Sequence, residues 1–309
     1  MKIWLLKKTG AFLLFTWAAA SLIFLLVYTI PGDPVAAMLG KMPRPEDIRR
    51  LQQSMRLDRP LVEQYMHFVQ KLLRLDLGES IIDRRPVLAT IRRYFPNTII
   101  LAAAAMLLAL LIAMPLGMLA AMKGRGVCYV VSMVFSTIGL AVPGFLSGIL
   151  LIILFSLRWH WLPVSGSGEI RFLILPAFTL AISLSAFLMR VIHTVVAGEM
   201  NQPYVLLARA KGLSGFHVFS RHVLRNALIP IITIIGLQLG ALLSGTIVIE
   251  NVFSWPGIGT LLITAIRQRD FPLIQGIALF LAVLYLLLNL LIDLTYPIID
   301  PRLRHDHRE

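Results

Sequence analysis

The sequence predicts an all-α polytopic membrane protein with six transmembrane helices, and three observations carry that expectation. Of its 309 residues, 58% are hydrophobic and the mean hydropathy is +0.80. A water-soluble domain of this size seldom carries so much apolar content. Charge is segregated, with long uncharged stretches between others crowded with Arg and Lys. Six apolar runs, roughly 9–30, 98–122, 129–157, 172–196, 228–249 and 273–296, come near the ~20 residues a helix needs to cross hydrocarbon. A helix satisfies its own backbone polar groups in lipid, so all six read as helical.

The first run follows Lys2, Lys7 and Lys8, as a cleaved signal peptide would. The small residues Ala18-Ala19-Ala20-Ser21 lie in its middle, however, and apolar sequence continues to Ile30, so residues 1–30 read as a cytoplasmic tip and a retained anchor. Residues 31–93 read as an extracytoplasmic region of short helices. There Leu61, Tyr65, Phe68, Val69 and Leu72 form an apolar face at helical spacing. Residues 94–297 hold the other five helices, with an inner loop at about 197–226, and 298–309 form a cytoplasmic tail. Pro115, Pro143, Pro176 and Pro230 fall in or beside the runs, which membrane helices tolerate.

Loop charge sets the orientation. With the N-terminus inside, the inner segments hold thirteen basic residues and the two short outer loops hold four: Arg158, Arg171, Arg267 and Arg269. That excess places both termini in the cytoplasm. The twelve basic residues of 31–97 belong to a segment longer than about 60 residues, where the rule loses force. The net charge of +13 therefore reflects orientation and contact with lipid headgroups, not nucleic-acid binding. Cys128 is the one cysteine and forms neither an internal disulfide nor a zinc site by itself. His160, His193 and His222 lack carboxylate or Cys partners at ligand spacing, so no metal site is expected, and His305 and His307 read as a solvated tail.

No Gly-x-x-x-x-Gly-Lys-Ser/Thr phosphate loop occurs, so any ATP chemistry has to come from another chain. The inner loop is the segment suited to meet such a chain. Two short helical stretches flank Gly212-Leu213-Ser214-Gly215, where glycines allow a sharp turn. Ala208 and Ala210 thin one side, and Arg209, Lys211, Arg221, His222 and Arg225 supply charge, as suits a helix lodged in a partner's groove.

This loop resembles the Glu-Ala-Ala…Gly loop of ABC importer permeases. Ala208 and Gly212 match, while Leu206, Leu207 and Arg225 depart from the pattern. The wider match runs the length of the chain: Pro31-Gly32-Asp33-Pro34, Arg85-Pro86-Val87, Pro96-Asn97-Thr98, Ala208-Arg209-Ala210-Lys211-Gly212-Leu213, Leu224-Arg225-Asn226 through Pro230, Ile249 through Gly259, Arg269-Asp270-Phe271-Pro272 and Asp300-Pro301-Arg302. Together they resemble the dipeptide, oligopeptide and nickel branch of binding-protein-dependent, type I permeases, with Arg56 standing where that family usually has Gly.

The resemblance implies a type I permease fold with a cytoplasmic coupling helix. Ala208, Arg209, Ala210, Lys211, Gly212, Leu213, Arg225 and Asn226 would couple to ATPase subunits. Glu250, Asn251, Trp255, Pro256, Gly257 and Asp270 would form extracytoplasmic loops. It further implies a second permease subunit, one or two ABC ATPase subunits that use ATP and Mg, and an extracytoplasmic substrate-binding protein. The chain itself would bind no cofactor and catalyse no reaction. Short peptides, nickel or another chelated metal, and glutathione-like molecules are the cargo classes.

Within the spans, Ser136, Thr137, Ser183, Gln238 and Ser244 are candidate pathway-lining groups, although Ser and Thr also cap backbone or join helices. Glu250 faces a binding protein or gate, or bonds local backbone. Trp255 reads as an interfacial anchor, and Arg269 and Asp270 cap the loop before Pro272. The alternative function is an ion-coupled secondary transporter. Such proteins bury ionisable groups near the midplane, whereas Arg190 and Asp293 lie toward the inner ends of their spans.

Overall fold

The computed structural model describes residues 2–26, 46, 59–122, 124 and 126–299. The expectations placed on Pro31–Pro34, on Arg56 and on the tail from residue 300 lie outside them. In chain order the helices are α1 (Lys2–Leu26), α2 (Leu61–Leu73), α3 (Val87–Met122), α4 (Val127–Ala141), α5 (Gly144–Leu151), α6 (Ile170–Met200), α7 (Pro203–Ala210), α8 (Gly215–Val218), α9 (Leu224–Gly245), α10 (Ile247–Val252), α11 (Ile258–Gln268) and α12 (Phe271–Ile299). A π-helical segment, Ile152–Arg158, continues α5, and another, Phe219–Val223, joins α8 to α9.

Among the described residues five helices are long and apolar enough to cross a membrane: Leu6–Leu25, Val87–Met122, Ile170–Met200, Gly215–Leu243 and Phe271–Leu294. The third apolar run, expected as one helix, is instead a bent pair, Val127–Ala141 and Gly144–Arg158, meeting at 100°. Its break has a local cause. The ring of Pro143 pushes the preceding residue out of the helical region, and Val142 is extended at φ −84° and ψ 122°. Two helices also start earlier than their apolar runs, α3 at Val87 and the fifth span at Gly215. Hydropathy marks where a helix enters lipid, whereas backbone hydrogen bonding continues through Arg92, Arg93, Arg221 and Arg225.

The chain divides into two units, 1–96 with 257–290 and 97–256 with 291–309. In the first, Val87 and Ile91 of α3 pack on Ile258, Leu261 and Ala265 of α11 and on Leu273 and Ile277 of α12. Gly276 permits the approach, since a Cβ there would lie 2.3 Å from Val87 Cγ1. The face expected on α2 exists: Tyr65, Phe68, Val69 and Leu72 are half-buried, while Leu61 at the helix start is exposed. Phe24 of α1 meets Tyr65 edge-on and Phe68 at a tilt, with centroids 5.4 Å away in both cases. Ser21 Oγ and Tyr65 Oη lie 2.7 Å apart.

In the second unit, α6 is the central element, packed against α4, α5 and α9. Small residues set the α4–α6 seam. Ser136 Oγ donates to the Ala186 carbonyl at 2.7 Å, and a Cβ on Gly139 would sit 2.7 Å from Ala186 Cβ. Close approach by small side chains is a common way to join helices where lipid offers no hydrophobic drive.

Four helix ends share one closure, a Schellman motif with a left-handed residue after the cap. That residue is Leu75 after α2, Gly212 after α7, Ser254 after α10 and Arg269 after α11. For α2, Leu75 N–H donates to the Leu72 carbonyl at 2.9 Å and Asp76 N–H to Lys71 at 2.9 Å. Only Gly212 takes this conformation without a Cβ penalty. Leu75→Gly is therefore expected to stabilise the fold by about 0.5–1 kcal/mol, the relief of strain minus added chain entropy. Its side chain is exposed, so little packing is lost, and thermal unfolding in detergent measures the change.

Candidate functional site

The inner loop forms an elbow. Helix α6 ends at Met200, and extended Gln202 followed by Pro203 in the first turn starts α7. Proline suits that position because the first helical N–H groups have no intrahelical partner. Val205 and Ala208, three residues apart, are buried against Val196, Val218 and Val223. The elbow then turns at Gly212, φ +80°, where Gly212 N–H donates to the Arg209 carbonyl at 2.9 Å and Leu213 N–H to Ala208 at 3.4 Å. Ser214 caps the next helix, accepting from His217 N–H at 3.4 Å. The second helical stretch was expected to be separate from the fifth span. It runs continuously into that span through the wide turn Phe219–Val223.

A polar strut braces α7. Asn226 Nδ2 donates to Tyr204 Oη at 2.9 Å, and Tyr204 in turn donates to Glu199 Oε2. Desolvation first, and then the hydrogen bond to Glu199, raise the Tyr204 hydroxyl above the usual tyrosine range. Facing outward are Leu206, Leu207, Leu213 and Phe216, all exposed, beside exposed Arg209, Ala210 and Lys211. Arg225 is also exposed and lines a shallow groove with His217, Arg221 and Leu228. These four large apolar side chains and the neighbouring cations form one exposed strip.

At the other end of the fifth span, Glu250 is fully buried. Its Oε1 accepts from Thr98 Oγ1 at 2.8 Å and Thr246 Oγ1 at 3.1 Å, and its carbonyl accepts from Trp255 N–H at 2.7 Å. Trp255 is not an interfacial anchor: it is 5% exposed, packs on Leu101 and Ala177, and donates Nε1–H to the Asn97 carbonyl at 3.0 Å. Asn97 Nδ2 returns a bond to the Pro256 carbonyl at 2.9 Å. Asn251 and Pro256 are half-buried in this turn. In the other unit Gly257 is buried and Asp270, also buried, caps α12 through Leu273 N–H at 3.3 Å. Asp270 also accepts from Ser80 Oγ and, at 3.3 Å, from Ile81 N–H.

The candidate lining residues separate. Ser136 is buried in the α4–α6 seam, Gln238 is half-buried on α9, and the side chain of Ser244 lies outside the described residues. Thr137 is exposed and accepts from Arg190 Nη2 at 3.4 Å. Ser183 Oγ is buried without a hydrogen-bond partner among the described residues. Sequence reasoning gave no bonding role to Ser80 or Thr98, whose partners Asp270 and Glu250 are remote in sequence, nor to Tyr204, which bridges Glu199 and Asn226.

The chain matches the family model for the binding-protein-dependent transport system inner membrane component over residues 113–305, and the model for the N-terminal part of such membrane components over 1–102. It is 37% identical over 284 residues to the glutathione transport system permease protein GsiC of Escherichia coli strain K12, covering 92% of this chain and 93% of the relative. The GsiC protein of Pectobacterium atrosepticum is equally similar, at 37% over 284 residues. Among solved structures, the methionine ABC transporter MetNI in an inward-facing conformation is similar with a TM-score of 0.60 at 14% identity, covering 69% of this chain and 97% of that one. An amino acid ABC transporter crystallised with histidines is similar with a TM-score of 0.57 at 17% identity, covering 68% and 94%. Those two likenesses concern the fold alone.

Proposed function

The chain belongs to the inner-membrane components of binding-protein-dependent transport systems, the type I ABC importer permeases of the peptide and oligopeptide branch, and from that premise we propose that it forms half of the translocation path for short peptides of the glutathione type. The observation that carries this reading is the elbow. Helix α7 is anchored from behind by Val205 and Ala208, and it presents Leu206, Leu207, Leu213 and Phe216 with Arg209 and Lys211 outward. An apolar strip edged by cations fits a groove on an ATPase subunit. ATP energy reaches the path only if that contact differs between outward-open and inward-open states.

A second permease subunit completes the path, an extracytoplasmic binding protein delivers the cargo, and both termini lie in the cytoplasm, as the loop charges imply. The relatives' glutathione cargo supports peptides ahead of nickel or chelated metal. The test is uptake by the assembled complex in proteoliposomes. ATP trapped inside is expected to drive peptide accumulation that survives an uncoupler. Accumulation that follows an ion gradient without ATP would replace this reading by ion-coupled transport.

A further inference from the structure

We propose that Arg190, with Thr137 beside it, receives the carboxylate of an anionic cargo in the cytoplasmic half of the translocation path; this rests on the permease reading above. Arg190 lies toward the inner end of its span, six residues before the end of the apolar run 172–196, about 9 Å along the axis. A cation at that depth is costly against lipid and marks a water-filled path or a partner group. Among the described residues no carboxylate pairs with it. Its guanidinium is exposed and donates only to Thr137 Oγ1 on α4, at 3.4 Å.

The surrounding face of α6 is built differently from its core face. Ser183, Phe187, Arg190 and Thr194 fall at spacings of four, three and four residues, within an arc of about 60° on a helical wheel. Arg190 and Thr194 are exposed and Ser183 and Phe187 half-buried, Phe187 against the core cluster, whereas Leu184, Leu188, Ile192 and Val196 pack into the core. Ser183 lies about two turns above Arg190, and its Oγ is buried with no hydrogen-bond partner among the described residues. An exposed guanidinium with no carboxylate partner among the described residues, beside the exposed Thr137 hydroxyl, suits a small hydrated anion. The guanidinium fork matches a carboxylate bidentately. The Thr137 hydroxyl accepts from Arg190 and keeps its own proton to donate to the same anion. Short peptides and glutathione-like molecules carry such a carboxylate.

The experiment measures ATP-driven uptake by the assembled complex in proteoliposomes, comparing a tripeptide with its C-terminal amide. Wild type is expected to move the free acid faster. Arg190→Gln should lower free-acid uptake about tenfold, on the scale of a lost charge-assisted hydrogen bond, while the amide rate stays within about twofold. Arg190→Lys should recover part of the loss, and Thr137→Val should narrow the preference about threefold with Arg190 in place. Equal losses for both cargoes, in the Arg190 and Thr137 variants alike, would overturn the proposal in favour of a structural role. Unchanged rates for both would overturn it in favour of a lipid phosphate as the partner. A wild-type complex that moves neither cargo on ATP would sink the permease reading itself, a result distinct from the other two.

Discussion

Replacing Leu206 and Leu207 together by Asp is expected to abolish co-purification with the ATPase subunit and to lower ATP-driven uptake by about a hundredfold or more. The two side chains are 57% and 58% exposed. Covering each would contribute about 1.5–3 kcal/mol to docking, and placing carboxylates in the groove adds a desolvation cost. The helix itself should survive. Its anchors, Val205 and Ala208, point the other way into the core, and the strut from Asn226 through Tyr204 to Glu199 is untouched. The thermal midpoint in detergent should therefore stay within a few degrees, since the substituted positions are exposed. Pull-down from co-expressed subunits, uptake and unfolding together decide it. Normal uptake by the double variant would show that force enters the chain elsewhere.

Asp270→Ala should cost about 3–5 kcal/mol of stability, the largest effect expected from a single side chain outside the spans. The carboxylate is fully buried and takes bonds from Ser80 Oγ, Ile81 N–H and Leu273 N–H. Alanine would leave three donors without an acceptor, at about 1–3 kcal/mol for each that water does not reach. It would also remove the cap of α12, worth about 1 kcal/mol. Ser80 Oγ in turn accepts from Asp83 N–H at 3.0 Å, so the turn from Ser80 to Arg84 would loosen as well. Asp270→Asn keeps an acceptor and should cost less, about 1–2 kcal/mol. Denaturant unfolding in detergent measures both, and a loss below 1 kcal/mol for alanine would mean that water already reaches these donors.

What the sequence by itself determined is the partition between lipid and water, and much of the local chain path. Each apolar run is a sum over neighbouring residues, so hydropathy located all six runs, although the break at Pro143 in the third was not anticipated. Gly212 signalled a left-handed turn because glycine alone takes one freely. The family motifs are local too, and they pointed to the permease class. The tertiary structure alone decided the partners. Trp255 looked like an interfacial anchor, yet its indole is buried on Leu101 and Ala177. Glu250 finds Thr98 across 152 positions, and Asp270 finds Ser80 across 190. Ser136 gives its hydroxyl to the backbone of α6, whereas Thr137, one residue on, faces outward to Arg190. Leu75, Ser254 and Arg269 turn left-handed without any compositional sign. The physical reason is common to all of these. Burial and helicity depend on residues within a turn or two, whereas the identity of a buried polar partner depends on which distant helix the packing brings within about 3 Å.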